Sequence, residues 1–291
     1  MLTMKIAFLI QAHKAPQQLK RLLSKLQKSY VDCYVNIDLK ASIEPYNCIP
    51  NEFSNVKLIK KRVPVFWAEY SQVESTLNGL KEIVDSGINY EYVFFISGQD
   101  YPIKPLEELY LFLMKNRGKQ FLSNVELSPN GWYKAMNRYQ RYYIPTTIKQ
   151  KYLNLPIISK VLHHLIYKIP KRKYPNSLKP YGGSSWWCIT YDCIQYVLNY
   201  CNLHPEFIRF HKYTRSPDEM FFQSLIMNSL YAKDVVNDNL IYLDFSQGNP
   251  NPKLLNNDDF DKISCSTKFF ARKFDVEYDY LILDAIDKLL I

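Results

Sequence analysis

Two uninterrupted apolar runs, Ile6-Ala7-Phe8-Leu9-Ile10 and Tyr92-Val93-Phe94-Phe95-Ile96, constrain this chain more than anything else in it. A strand with one wet face alternates apolar and polar residues. A strand apolar at every position has both faces buried, which is the condition of a parallel sheet with helices on each side. The residues between the runs agree. Leu19, Leu22, Leu23 and Leu26 recur at helical spacing. Tyr34-Val35-Asn36-Ile37-Asp38 reads as a strand ending in a carboxylate, and Val56 to Ile59 as a shorter one. Ser71 and Glu74 have the spacing of a capping box for a helix that carries Val73, Leu77, Leu80 and Val84 on one face and ends near Gly87. Pro105 opens a further helix that closes by Gly118. Strands alternating with helices predict an α/β fold with a mostly parallel central sheet flanked by helices. No composition shift marks a boundary, so the expectation is a single domain over 1–291.

The second half continues with a strand at Trp186 to Thr190, a helix near 191–201 and a helix opened by Ser216-Pro217. A strand at Leu240 to Leu243 and a closing helix over 277–290 follow. Residues 128–182 break the pattern, being rich in Tyr, Lys, Arg and Pro, with Tyr139, Tyr142, Tyr143, Lys171, Arg172 and Lys173. We read them as an irregular excursion packed on the main domain. The alternative is a nucleic-acid or polyanion surface that stacks bases and contacts phosphates. No recognisable nucleic-acid-binding motif accompanies it.

The net charge of +9 suits an anionic partner, although a solvated Lys-rich surface accounts for it equally. The six cysteines include no C-x-x-C and match no zinc spacing. Cys188, Cys193 and Cys201 lie in an apolar stretch as small hydrophobes, which points to a reducing compartment. The first apolar run is too short to span a membrane and lacks a cleavage pattern. A cytoplasmic protein is expected, with peripheral contact to an anionic inner membrane face.

In open parallel sheets ligands bind beyond the carboxyl ends of the strands. Gln11, Ala12, His13, Asp38 and Asp100 all follow strand ends and are candidates on that ground. Ser216-Pro217-Asp218-Glu219 has the form of a capping box, so local rules make Glu219 a helix cap. In Phe269-Phe270-Ala271-Arg272-Lys273-Phe274-Asp275, adjacent cations among apolar residues would suit a diphosphate; a strand whose Arg and Lys face water fits as well. Gly182-Gly183-Ser184-Ser185-Trp186-Trp187 permits close backbone approach beside aromatic rings that could stack on a sugar, or is a turn into a core strand. An Asp-x-Asp after a strand would hold a divalent metal, but Ser97-Gly98-Gln99-Asp100 offers one acid. Asp259-Phe260-Asp261 lies in a polar stretch and reads as a loop. Paired-histidine metal motifs, a nucleophile elbow, a P-loop and G-x-G-x-x-G are missing.

The order of these pieces resembles glycosyltransferase family 14, the core-2/I-branching enzymes and peptide O-xylosyltransferases. Ile6 to His13 resembles the family's opening strand and Val-His turn, and Tyr34 to Lys40 its His-Val-Asp segment. Ser97 to Lys104 resembles Asp-Tyr/Phe-Pro-Ile, and Gly182 to Trp187 resembles Gly-Gly-Ser-x-Trp-Phe. Ser216 to Phe222 resembles Ser-Pro-Asp-Glu, and Phe269 to Asp275 the xylosyltransferases' Phe-Phe-Ala-Arg-Lys-Phe-Glu. Gln11 stands where the family has an apolar residue, and Asn36 where it has His.

The resemblance implies a GT-A-like fold and an inverting transfer from a UDP-sugar to a glycan hydroxyl, with no metal or other cofactor. Glu219 would be the general base. Arg272 and Lys273 would hold the donor diphosphate, and Gln11, Ala12, His13, Asp38, Lys40, Trp67 and Asp100 would serve the nucleotide-sugar. Ser185, Trp186 and Trp187 would line the acceptor and sugar side. GlcNAc, xylose and galactose all stand as donor sugars. The long stem, membrane anchor and disulfides of the animal enzymes are not seen, so the expectation is a bacterial-type catalytic domain acting on a cell-surface glycan, often lipid-linked.

Overall fold

The computed structural model describes residues 4–146, 169–249 and 251–290. In chain order the strands are β1 (Ile6–Ala12), β2 (Val31–Ile37), β3 (Val56–Leu58), β4 (Tyr92–Ser97), β5 (Asp100–Pro102) and β6 (Gln120–Leu122). They continue with β7 (Val125–Glu126), β8 (Tyr181–Gly182), β9 (Trp187–Thr190), β10 (Val235–Val236), β11 (Ile241–Leu243) and β12 (Phe270–Arg272). The central sheet has seven strands in the order β10-β6-β9-β4-β1-β2-β3. β1 runs parallel to β2 and β4, β2 to β3, and β10 to β6; β9 alone opposes its neighbours β4 and β6. The expected α/β architecture with a mostly parallel sheet is therefore what forms.

The two apolar runs become the paired central strands, with Ile6 opposite Tyr92 and Ile10 opposite Ile96. Successive side chains leave a strand on opposite faces. Ile6, Phe8 and Ile10 with Tyr92, Phe94 and Ile96 feed one core, which Leu19, Leu22 and Leu23, Leu109 and Leu113, and Ile282 and Ile286 complete. Ala7 and Leu9 with Val93 and Phe95 feed the other, beneath Val73, Leu80, Ile194, Val197 and Phe221. Both faces are covered, so a polar residue there needs a hydrogen-bond partner.

On the first of these faces lies a second sheet, β11-β12-β5, with β11 parallel and β5 antiparallel to β12. Phe270 of β12 sits 5.7 Å from Phe8 and 5.1 Å from Phe94, ring centre to ring centre, and so fixes this sheet on the central one.

Several local expectations are corrected. The helix after Trp67 spans Tyr70–Asp85 with Glu69 at its N-cap, and the Ser71/Glu74 box does not form. Ser71 lies inside the helix, and its Oγ accepts the Phe66 amide at 2.9 Å. Asp259-Phe260-Asp261 is helical rather than a loop. Asp259 closes a capping box with Asn256 and pairs with Lys253 at 2.7 Å, and Phe260 begins the helix Phe260–Ser264. The chain's closing helix is Leu281–Leu289, shorter than the span read from the sequence.

The described parts of the 128–182 excursion pack on the main body. Leu127, Ala135 and Tyr139 form a small core with Met220. Residues 147–168 of that stretch lie outside the described residues. All six cysteines are free thiols. Among the described residues no helix is long and apolar enough to cross a membrane.

Phe94 links the central strands to the second sheet. Phe94→Ala should therefore cost roughly 3–5 kcal/mol of folding stability in urea unfolding; a cost below about 1 kcal/mol would show that the sheets are held together by something else.

Candidate active site

The carboxyl ends of β1, β2 and β4 open into a cleft of about 700 Å³. Of the residues expected to act, Gln11, Ala12, His13, Asp38, Trp67, Ser185, Trp186, Glu219, Arg272 and Lys273 all line it. Segments separated by up to the length of the chain thus share one cavity.

The cationic wall comes from β12. Its Arg272 stands directly opposite Asp100 of β5 in the antiparallel register, and the guanidinium Nη1 is 3.3 Å from the Asp100 carboxylate. Nη1 also donates to Ser97 Oγ at 3.3 Å, and the guanidinium lies 4.3 Å from the centre of the Trp186 ring. Burial pushes the Asp100 carboxyl up and the Arg272 guanidinium down, and each charge moderates the shift of the other. Asp100 is fully buried and does not line the cleft. Its expected place on the nucleotide-sugar is corrected: it accepts the Ser97 amide and orients Arg272. Burial, then Arg272 and Lys14, also hold Lys273 below the usual lysine value. Both cations thus face the cavity partly desolvated, and a bound anion would relieve that cost.

At the β1 and β2 ends, Asp38 organises the surrounding loops. Its Oδ1 accepts the amides of Lys40 at 2.9 Å and Val65 at 3.2 Å. The Lys40 ammonium lies 3.5 Å from the Asp38 carboxylate and 4.6 Å from the Phe66 ring centre and bonds the Val65 carbonyl, so it sits beside the cleft without lining it. Gln11 and Asn36, the two departures from the family pattern, are register partners on β1 and β2. Both donate to Ser75 Oγ, at 3.2 and 2.9 Å. The two departures therefore compensate each other within one buried network. Gln72 extends that network to the cleft by donating to Gln11 at 2.5 Å. His13 stands at the open rim, where what burial it has, then Lys14 and Lys273, lower its imidazole below the usual histidine value.

Glu219 is not a helix cap. Ser216 takes a left-handed conformation, φ 49°, with its amide on the Ala68 carbonyl at 2.9 Å, and its side chain caps nothing. Pro217–Glu219 is a single 3-10 turn, and the α-helix Phe221–Met227 starts beyond it. The Glu219 side chain is released into the cleft, where it pairs with Arg138. The glycine pair explains how that turn is held. The Gly183 amide donates to the Glu219 carbonyl at 2.8 Å, and a Cβ on Gly183 would fall 1.9 Å from the Ser123 carbonyl oxygen. Ser185 Oγ donates to Asp218 at 2.6 Å. Burial, then the neighbouring Glu219, push the Asp218 carboxyl up to about 6.

Trp186 and Trp187 divide the two readings of their segment. Trp186 lines the cavity. Trp187 is fully buried against Phe95 and Phe222, so its expected place on the acceptor side is corrected to the core. Trp187 opens β9, whereas Trp186 lies just before the strand.

The residues that sequence reading missed include Arg138 and Trp132, stacked with the guanidinium 4.6 Å from the ring centre, and Asp218, Phe245 and Asn251. The aromatic and basic character of 128–182 was the one signal available for the first two. That character suggests an excursion packed on the main domain or a polyanion surface, and neither reading brings Arg138 to the cleft. Among the described residues no group of three or more His, Cys, Asp or Glu side chains could hold a metal ion.

The Core-2/I-Branching enzyme family model matches residues 6–269. The chain belongs to that family. Rat xylosyltransferase 2 (Rattus norvegicus) is 24% identical over 97% of this chain and 33% of its own length, and the human protein matches to the same extent. A zebrafish (Danio rerio) beta-1,3-galactosyl-O-glycosyl-glycoprotein beta-1,6-N-acetylglucosaminyltransferase 4 is 26% identical over 76% of this chain and 49% of its own. The chain thus spans between a third and a half of the length of these relatives. Among solved structures, a 4-diphosphocytidyl-2C-methyl-D-erythritol synthase from Anaerococcus prevotii covers 69% of the chain and 76% of its own at 13% identity, with a TM-score of 0.33.

Two outcomes are expected. Asp100→Ala leaves Arg272 buried without its counter-charge and should cost roughly 3–5 kcal/mol in urea unfolding. Asp218, raised in the fold from 3.8 to about 6, binds its proton more tightly folded than unfolded. Folding stability should therefore fall as pH rises through that window. Asp218→Asn should flatten the curve in thermal unfolding between those pH values, and an unchanged slope would place the titration elsewhere.

Proposed function

We propose that this chain is an inverting, metal-independent glycosyltransferase of GT-A type, its described residues forming one catalytic domain. The donor is a UDP-sugar carrying GlcNAc, xylose or galactose, and the acceptor is a glycan hydroxyl. The observation that carries the reading is that Glu219 and the Arg272-Lys273 pair, remote in sequence, line one cleft at the strand ends.

A single displacement needs two kinds of help. The attacking hydroxyl must lose its proton as its oxygen bonds to the anomeric carbon, and a carboxylate at the cavity wall accepts it. The bond from that carbon to the diphosphate oxygen breaks on the opposite face, which gives the β linkage. The charge that develops on the diphosphate then meets Arg272 and Lys273, whose partial burial strengthens the contact. Asp100 cannot also serve a metal while it is committed to Arg272, and the preformed cation pair supports metal independence. The nucleoside end of the cleft is formed by Gln11, Ala12, His13, Asp38 and Trp67, the last 68% exposed at the rim as a platform for a ring. The net charge of +9 suits an acceptor carried at an anionic membrane surface, as in the assembly of a cell-surface polysaccharide.

A nucleic-acid surface on the excursion is less well supported, because Arg138 pairs with Glu219 and Arg172 is committed to backbone carbonyls.

The test is a screen of UDP-sugars for transfer and slow hydrolysis with EDTA present throughout. Turnover should persist in EDTA, and Glu219→Gln should lower it by about 10²–10⁴-fold while UDP still raises the melting temperature. Activity of the variant near that of the wild type would remove the assigned base, and activity abolished by EDTA would remove the metal-independent reading.

A further inference from the structure

Arg172 lies outside the cleft, yet three segments meet on its side chain. It belongs to the returning limb of the excursion. Its guanidinium lies 3.7 Å from the centre of the Phe210 ring, in the helix Pro205–His211, and 4.7 Å from that of Tyr142, on the outgoing limb. Nη1 donates to the Tyr213 carbonyl at 2.7 Å and Nη2 to the Phe210 carbonyl at 2.5 Å. These carbonyls close the end of that helix, where a planar cation with fixed donors suits both the dipole and the orphan acceptors.

The backbone continues what the guanidinium starts. The Arg172 amide donates to Gln140 at 2.9 Å, the Tyr143 amide to Tyr213 at 2.9 Å, and the Arg215 amide to Arg138 at 3.0 Å. Arg215 immediately precedes the Ser216–Glu219 turn, and Arg138 pairs with Glu219. One half-buried cation therefore holds together the segment that carries Arg138 and the segment that carries Glu219. A second anchor, Tyr174 Oη to His211 Nε2 at 2.9 Å, fixes the same returning limb to the helix; the Tyr174 ring also packs edge-on against Tyr139, a contact that loss of the hydroxyl leaves in place.

We propose that Arg172 is a positioning residue for the base: it sets the geometry of the Arg138–Glu219 pair, and through it the alignment of Glu219 with the acceptor hydroxyl. This rests on Glu219 being the base. The nucleotide end of the cleft is built on β1, β2 and β12, and none of the hydrogen bonds and ring contacts named above for the Arg172 side chain reaches those strands.

The test compares Arg172→Ala, Arg172→Gln and Arg172→Lys with Tyr174→Phe in the full chain, measuring kcat, UDP affinity and amide hydrogen exchange at Arg215. The Ala and Gln variants should lose between about tenfold and a hundredfold in kcat, as a misplaced catalytic group does, with UDP affinity unchanged and Arg215 exchange accelerated. Lys should not restore kcat, since it lacks the planar fork. Tyr174→Phe should lower the melting temperature and leave kcat near that of the wild type. Folded Ala or Gln variants with unaltered kcat would overturn the proposal, as would a parallel loss of UDP affinity or unchanged exchange at Arg215. The exchange measurement reads the clamp without turnover. A wild-type chain that fails to transfer would therefore count against the enzymatic reading, and slow exchange in the variants against the clamp.

Discussion

The buried pair of Asp100 and Arg272 is the constraint on which the cleft depends. A guanidinium beside a cavity, 11% exposed, is held there at the cost of its hydration. It is tolerable because Asp100 supplies the opposite charge from the facing strand, Ser97 an acceptor, and Trp186 a π face. Each of these partners comes from a different part of the fold. The small second sheet is placed by Phe270, two residues before Arg272, which packs against the stacked rings of Phe8 and Phe94. Core packing and site electrostatics are therefore set by the same short strand.

The opposite wall follows a different logic. Glu219 is placed by backbone rather than by charge: a left-handed Ser216 turns the chain, Pro217 begins a 3-10 turn, and Gly183 comes close enough to bond the Glu219 carbonyl. Arg138 then meets the side chain from the excursion. A cationic wall facing a backbone-built turn suits the proposed displacement, where the leaving group needs fixed charge and the base needs fixed direction.

The parts of this arrangement that were legible in the sequence were those governed by period and by strand ends. Uninterrupted apolar runs gave the paired central strands, and residues just past β1 and β2 did reach the cleft. Reading failed where a local rule met a tertiary partner. Ser216 and Glu219 have the spacing of a capping box, but the Ala68 carbonyl holds the Ser216 amide in a turn that no cap could form. Trp186 and Trp187 look alike in sequence, yet one lies just before β9 at the cavity and the other opens that strand in the core. Lys40 follows a strand end like its neighbours, yet its ammonium is engaged by Asp38, the Phe66 ring and the Val65 carbonyl beside the cleft.

By itself the sequence determined the α/β class, the two-faced burial of the sheet, and the resemblance of the segments carrying Glu219, Arg272 and Lys273 to motifs of one family, because these depend on residue type and spacing along the chain. Only the tertiary structure decided that Asp100 serves Arg272, that Gln11 and Asn36 compensate each other through Ser75, and that an irregular basic stretch supplies Arg138 to the site. Those outcomes depend on which strands lie in register and on what a desolvated charge finds within reach, and neither is written in local spacing.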